Sequence, residues 1–352
     1  MTTQPLTKSE VQSKNDTTEA EVELLHISTS PHIRHPGSVP NVMMWVIIAL
    51  VPSIVASYMF FGWRAIFLTC VGITSAVLTE WLITLLMKKP STIGDFSAVI
   101  TGILLAFNVP PSLPWWMVAI GAAFAIGVAK MAFGGLGGNF INPALAGRAF
   151  LMASYPAAMT SFTAPKLGTI SGLDGITSAT PLAHFKLSMM NGSFQALDFQ
   201  DAIYNLFTGN VGGCIGETSA IALLLGAMIL WYKRIIGFAI PLFYIGTVFV
   251  LFWLFNGTGD LFTSGAIIVP TYQILAGGLL LGAFFMATDM VTSPITPNGK
   301  IVFGIGCGVL TFVIRKFGGY PEGVSYSILL MNLLVPLIEK YTRPRIYGRV
   351  KK

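Results

Sequence analysis

Long apolar stretches separated by short polar connections dominate the chain from residue 39 onward. Ten of them predict helices that cross or enter a membrane: 42–60, 65–87, 96–109, 115–132, 143–160, 215–232, 235–255, 265–287, 300–315 and 323–339. An α-helix needs about 20 residues to cross about 30 Å of hydrocarbon. The third stretch is shorter and ends in Asn108-Val109-Pro110-Pro111. This ending predicts a broken helix inside the bundle, where irregular backbone is tolerated.

The polar segments divide the chain into five parts. Residues 1–38 are polar and acidic, which predicts a disordered cytoplasmic tail. Residues 39–160 and 201–339 each hold five apolar stretches, and a long polar connection, residues 161–200, joins them. A basic tail, residues 340–352, follows the last stretch.

Two short patterns recur in the same order in both halves. Thr-Gly-Ile-Leu-Leu-Ala-Phe at 101–107 resembles Gly-Gly-Leu-Leu-Leu-Gly-Ala-Phe from 277 onward, and Phe-Gly-Gly occurs at 133–135 and at 317–319. Each half holds an odd number of apolar stretches, so the two copies have opposite orientations in the membrane. We therefore predict an all-α polytopic membrane protein with about ten transmembrane helices in two inverted five-helix repeats.

Composition and charge agree with a membrane location. Hydrophobic residues make up 54% of the chain and charged residues 10%, against about 25% charged in soluble domains. The net charge of +6 does not indicate a nucleic-acid partner, because Lys and Arg gather at the ends of the apolar stretches. If the N-terminus is cytoplasmic, all but five of the 21 basic residues are cytoplasmic. This bias predicts that both termini are cytoplasmic and that residues 161–200 lie outside.

Cysteine and histidine positions restrict the cofactors that this chain can hold by itself. Cys70, Cys214 and Cys307 are far apart and form no C-x-x-C motif, so their spacing predicts neither an iron–sulfur cluster nor a zinc site. The four histidines lie outside the apolar stretches, which argues against a bis-histidine haem within the membrane. We predict no metal site.

The outer connection contains a run of small and hydroxyl residues, Asp174-Gly175-Ile176-Thr177-Ser178-Ala179-Thr180, followed by Pro181. Asp-Gly favours a turn, and the proline is rigid. Small neighbours are expected to leave the Thr180 hydroxyl accessible to a modifying enzyme. If this hydroxyl attacks the pyrophosphate of a flavin dinucleotide, FMN stays on the threonine as a phosphodiester. Composition alone leaves an ordinary surface turn as the alternative.

The run 174–180 resembles the flavinylation motif read by the periplasmic FMN transferase, with Thr180 as acceptor. From residue 28 to the C-terminus the chain resembles the D subunits of Rnf electron-transport complexes. The stretches that carry this resemblance include Ser28–His32, Phe60–Trp63, Pro114–Val118, Gly134–Asn139, Asn142–Ala144, Phe285–Asp289, Phe317–Pro321 and Tyr341–Arg345. The related B subunit of sodium-pumping NADH:quinone reductase shares the motif, but the short N-terminal region and the Thr-Arg-Pro-Arg ending favour the Rnf type.

The resemblance implies a fold similar to that of urea channels and a place in the bacterial inner membrane. It implies covalent FMN on Thr180, which makes 161–200 a periplasmic flavin-bearing loop, and a noncovalent riboflavin. The family transfers electrons between ferredoxin and NAD with movement of Na⁺ or H⁺, so this chain is expected to be one subunit of a translocase without a complete active site. The implied partners are the A, B, C, E and G subunits, the FMN transferase and the lipid bilayer.

Polar side chains at membrane depth cost free energy, and such residues are often functional. Asn139, Asn142 and Asp289 are predicted to share the cytoplasmic half of the bundle and to form the riboflavin region. Asp289 has two alternatives, a turn carboxylate and part of an ion route. Arg148 is expected either to pair with a carboxylate or to orient a flavin edge.

Inverted repeats with broken helices also suit a small-solute channel, because fold alone does not decide function. Thr180 in its motif discriminates between the two functions, since a channel has no use for a flavin acceptor. The sequence therefore favours a membrane flavoprotein that relays electrons.

Overall fold

The computed structural model describes residues 38–89, 92–163, 165, 180–190, 196–255, 264–319 and 322–343. Within these ranges the structure is helical and contains no β-strand. The helices are α1 Val39–Phe61, α2 Trp63–Leu86, α3 Ser97–Phe107, α4 Trp115–Phe133, α5 Pro143–Ser154, α6 Pro156–Met159, α7 Pro181–Met190, α8 Ala196–Thr208, α9 Ala220–Tyr232, α10 Ala239–Leu254, α11 Ser264–Leu275, α12 Leu279–Met286, α13 Pro297–Phe317 and α14 Val324–Thr342.

Several of these helices have the length and apolarity of membrane spans. In the described part of the chain, α1, α2, α4, α13 and α14 meet this criterion, and the pair α11–α12, bent by 67°, counts as a sixth span. Helices α3, α9 and α10 are apolar but shorter. Helices occupy each of the ten stretches that the hydropathy pattern predicted. The chain is thus an all-helical protein with many membrane-compatible helices.

The structure adds detail at two of the predicted segments. The segment 161–200 is not a simple loop, because α7 lies within it and α8 begins in it. The last helix continues to Thr342, three residues into the predicted basic tail. Of the run 174–180, which resembles a flavinylation motif, Thr180 is described, whereas residues 174–179 lie outside the described residues.

The broken third helix occurs where it was predicted. Helix α3 ends at Phe107, and the prolines that follow lack the N–H needed to continue it. The carbonyls left over at this end are satisfied from the other half of the chain. Ile215 N donates to Val109 O at 3.1 Å, and Gly216 N donates to Phe107 O at 3.0 Å. We call these paired irregular segments, 107–109 and 214–217, the crossing.

Helices α2 and α3 touch through two glycines. A Cβ added to Gly102 would lie 2.6 Å from the carbonyl oxygen of Gly72, and one added to Gly72 would lie 2.8 Å from the carbonyl oxygen of Gly102. Small residues at such contacts let helix backbones approach closely in a membrane. No larger side chain fits here unless the two helices separate.

Replacement of Gly102 with Val is therefore expected to destabilise the protein. Overpacking of a tight contact costs about 1–3 kcal/mol, which should appear as a lower midpoint of thermal unfolding in detergent. Gly246→Val, in α10, is the matched control because a Cβ there meets nothing within 4 Å. Equal midpoints for the two variants would contradict the role given to the contact.

Candidate functional site

One cavity brings together Asn139, Asn142 and Asp289, three of the polar residues singled out from the sequence. It has a volume of about 90 Å³, is partly open to solvent, and has apolar walls that include Ile100, Leu104 and Phe284. Its polar lining comprises Ser97, Thr101, Lys130, Asn139, Asn142, Thr288 and Asp289. We call it the Asn139 cavity. Small-molecule sites typically have such a mostly apolar lining with a few polar groups.

Asn139 has an unused acceptor at this cavity. Its side chain is only 5% exposed. The amide nitrogen donates to Ile141 O at 3.3 Å, but the Oδ1 atom has no partner among the described residues. A buried acceptor without a donor costs free energy, so this oxygen is available to a donor group on a ligand.

Asn142 has a structural role. It is the N-cap of α5, and its Oδ1 accepts hydrogen bonds from Ala144 N at 3.0 Å and Leu145 N at 3.4 Å. Its Nδ2 donates to Met286 O at 3.2 Å. Both polar atoms of the side chain are therefore engaged, and Asn142 shapes the cavity by joining α5 to the end of α12.

Asp289 lines the cavity from a turn that follows α12. Its Oδ2 accepts a hydrogen bond from Thr292 Oγ1 at 2.9 Å, and its carbonyl accepts one from Ser293 N at 3.2 Å. Burial raises the pKa of the Asp289 carboxyl, while the hydroxyl and N–H donors of the turn act in the opposite direction. The carboxylate thus has the turn-forming role that the sequence offered as one alternative, and it also contributes a polar wall to the cavity.

Sequence reasoning missed Lys130 as a site residue. Lys130 Nζ donates to Glu80 Oε2 at 2.7 Å and to Ser97 Oγ at 2.6 Å. Thr92 Oγ1 donates to the other carboxylate oxygen of Glu80 at 2.5 Å. From its position at the end of an apolar stretch, Lys130 indicates only the orientation of the chain in the membrane. A single lysine in α4 and a single glutamate in α2 do, however, indicate a buried pair.

Thr180 begins a helix. It caps α7, because its Oγ1 accepts a hydrogen bond from Ala183 N at 3.2 Å and its carbonyl accepts one from His184 N at 2.9 Å. The residue is only 4% exposed, whereas the small neighbours had predicted an accessible hydroxyl. A small cavity of about 10 Å³ adjoins it, lined also by Gly213, Glu217 and Glu322.

The burial of Thr180 follows from the docking of α7. Leu182 and Phe185 belong to a small apolar cluster with Val269, Tyr272 and others. The Tyr272 hydroxyl donates to Pro181 O at 2.8 Å. These contacts join the start of α7 to α11, and sequence spacing gave no sign of them.

Arg148 pairs with a carboxylate, which was one of its two predicted roles. Its guanidinium forms an ion pair with Glu322 and donates to Asn108 Oδ1 at 2.8 Å and Ser325 Oγ at 2.9 Å. Helix α5, the end of the broken third helix and the start of α14 therefore meet at one buried cation.

Cys214, Glu217 and Glu322 lie together beside this cation. One ligand atom from each lies within 4.8 Å of the others, a grouping that the cysteine spacing did not reveal. Arg148 Nη2 lies 3.9 Å from Cys214 Sγ, and Cys214 N donates to Glu217 Oε1 at 2.9 Å. The group is thus organised as an ion-pair network around Arg148.

Apolar helices of membrane-spanning length, a broken bundle and buried polar groups around cavities define a polytopic membrane protein. The particular family follows from comparison with known proteins. The chain belongs to the NQR2, RnfD, RnfE family, whose model matches residues 26–348.

Similar proteins cover nearly the whole chain. The D subunit of the Na⁺-translocating ferredoxin:NAD⁺ oxidoreductase complex of Acetobacterium woodii is 48% identical over 93% of this chain and 96% of its own length. The D subunit of the proton-translocating ferredoxin:NAD⁺ oxidoreductase complex of Clostridium ljungdahlii is 48% identical over 92% of this chain and 96% of its own length. The D subunit of the ion-translocating oxidoreductase complex of Salmonella arizonae is 36% identical over 93% and 99%, respectively.

Proposed function

We propose that the chain is the D-type subunit of an ion-translocating ferredoxin:NAD oxidoreductase of the Rnf type and relays electrons through flavin. The observation that carries this proposal is the 48% identity to two such subunits over more than nine-tenths of the chain. It favours the Rnf type over the sodium-pumping quinone reductase. The two relatives are named for different ions, Na⁺ and H⁺, so similarity alone does not assign the coupling ion.

The proposed arrangement in the membrane keeps both termini in the cytoplasm and the α7 region in the periplasm, where the transferase works. The two five-helix halves form an inverted repeat with a urea-channel-like fold. The crossing supports this arrangement, because an irregular segment of the second half supplies N–H donors to the carbonyls at the end of the broken third helix of the first half. The A, B, C, E and G subunits would complete the complex in the inner membrane.

Thr180 is the proposed acceptor of covalent FMN. Its Oγ atom would form a bond to the flavin phosphate while the pyrophosphate bond of flavin adenine dinucleotide breaks, so that AMP leaves and the hydroxyl proton is released. The N-terminus of α7 suits the product, because the free N–H groups and dipole of a helix start stabilise a phosphate. Since Thr180 is buried when α7 is docked, we infer that the transferase acts before α7 docks or when it is released.

The Asn139 cavity is the proposed site of a noncovalent riboflavin. The unpaired Oδ1 of Asn139 fits a donor such as a ring N–H or a ribityl hydroxyl, and the apolar walls fit a flat ring. When bound, a flavin supplies the electron-transfer chemistry, and the protein supplies position and electrostatics. Asn139 would orient the ring, while Ile100, Leu104 and Phe284 would exclude water from it.

Removal of the Asn139 side-chain amide is expected to lower the riboflavin content. Asn139→Ala should reduce acid-extractable riboflavin in the purified complex several-fold, because the variant lacks the only buried acceptor of the cavity that has no partner among the described residues. Asp289→Ala should also reduce the riboflavin content, because it removes a carboxyl group that lines the cavity. Covalent FMN should not change in either variant.

Asn210→Ala is the matched control, because Asn210 is exposed and lies outside the lining of this cavity. Its riboflavin content is expected to equal that of the wild type. Wild-type riboflavin in both Asn139→Ala and Asp289→Ala would place the flavin elsewhere.

A further inference from the structure

Two unusual helical turns border the Asn139 cavity. The segment Ala125–Lys130 of α4 and the segment Gly282–Met286 of α12 are both π-helical. The first ends at Lys130 and the second contains Phe284 and Phe285, and all three residues line the cavity. Single π-helical turns are rare and occur frequently at functional sites. Here one of them brings a lysine to the wall of a cavity in which Asp289 is the other ionisable residue among the described lining residues.

Lys130 has capacity left for a ligand. Its side chain is 2% exposed, and its ammonium group donates to Glu80 and Ser97. An ammonium group carries three N–H bonds, and no described residue accepts the third. Glu80, in contrast, lies outside the lining of the cavity and is held from its other side by Thr92. The positive member of the pair therefore faces the cavity and the negative member lies behind it.

The start of α3 lies beside the Lys130 ammonium. Ser97, the first residue of α3, lines the cavity, and its N–H and hydroxyl both donate to Asp95 Oδ1. The residue before it, Phe96, has φ 60° and provides no side-chain cap for the helix. The Asp95 carboxylate thus offsets the partial positive charge of the helix N-terminus, which leaves Lys130 as the positive group at this wall.

We propose that Lys130 recognises the acceptor edge of the flavin in the Asn139 cavity and raises its redox potential. This inference rests on the proposed function. The third N–H of Lys130 donates to the flavin, and the ammonium charge stabilises the negative charge that reduction adds to the ring. Such an effect is large in an apolar surrounding, because the low dielectric weakens charge interactions less than water does.

The test uses two variants with opposite expected effects. Glu80→Gln keeps the Lys130 charge but removes the carboxylate that offsets it, so the potential of the noncovalent flavin should rise. The double variant Glu80→Gln with Lys130→Met removes both charges, so the potential should fall below that of the wild type. Redox titration of the purified complex measures the potential of the noncovalent flavin in each variant. The covalent FMN is the internal reference, and its potential should not shift.

A purely structural role predicts a different result. If the pair only stabilises the fold, both variants lower stability and shift the flavin potential in the same direction or not at all, and that result would overturn the inference. Lys300→Met is the matched control, because Lys300 lines a different cavity. If Glu80→Gln does not assemble, Lys130→Arg replaces it. Lys130→Arg retains the positive charge and should keep the potential of the noncovalent flavin near that of the wild type, whereas the neutral double variant should lower this potential.

The inference and the proposed function can fail separately. Absence of extractable flavin from the wild-type complex would reject the proposed riboflavin site. If that flavin is present but its redox potential does not change when the charge at residue 130 is removed, only the role of Lys130 is rejected.

Discussion

Thr180→Ala is expected to abolish covalent flavin completely. The variant lacks the only oxygen through which the phosphoester is proposed to form, so intact-protein mass spectrometry of the denatured chain should show the unmodified mass. In-gel fluorescence of the denatured polypeptide should be absent. The chain should still insert, although loss of the Thr180 cap of α7 is expected to cost about 0.5–2 kcal/mol.

Three variants identify the acceptor hydroxyl. Thr180→Ser keeps a hydroxyl that caps the helix and should retain at least part of the flavin. Thr177→Ala and Ser178→Ala remove the neighbouring hydroxyls and should retain the modified mass on the peptide that contains Thr180. Flavin that persists on the Thr180→Ala chain would show that a different residue is the acceptor.

The second large effect is expected at Arg148. Arg148→Met leaves Glu322 without its cation and deprives Asn108 and Ser325 of a donor. Removal of one partner from a buried ion pair costs about 3–5 kcal/mol. The midpoint of thermal unfolding in detergent should fall strongly, and the yield of folded protein should fall with it.

A double variant separates charge imbalance from loss of packing. Arg148→Met with Glu322→Gln removes both charges and should recover much of the lost stability, because no uncompensated charge remains in the pair. Lys340→Met removes a cation near the end of α14 that lies outside this network and should change stability little. A single Arg148→Met variant as stable as the wild type would show that the network around Arg148 contributes nothing.

The features that the sequence predicted well are those with local causes. Runs of apolar residues led to all ten helical stretches, and the break after Phe107 followed from the adjacent prolines, which lack an N–H. The inverted repeat predicted that Asn139 and Asp289 share one half of the bundle. In the structure both residues line the same cavity.

The features that the sequence did not predict depend on contacts between distant residues. Lys130 and Glu80 are 50 positions apart, and Arg148 and Glu322 are 174 positions apart, so no periodicity relates them. Thr180 was expected to be exposed because its neighbours are small. Its burial instead results from Tyr272 and the apolar cluster beneath α7.

The crossing has a consequence for synthesis of the chain. The carbonyls of Phe107 and Val109 accept from Gly216 and Ile215, which are translated about a hundred residues later. At about 5–20 residues per second, the first half waits roughly 5–20 s before its hydrogen-bond partners exist. During that delay its broken helix needs water or the insertion machinery, because unsatisfied carbonyls are costly in lipid. The bundle therefore closes late, and a ribosome that stalls between the halves would leave an open, vulnerable intermediate in the membrane.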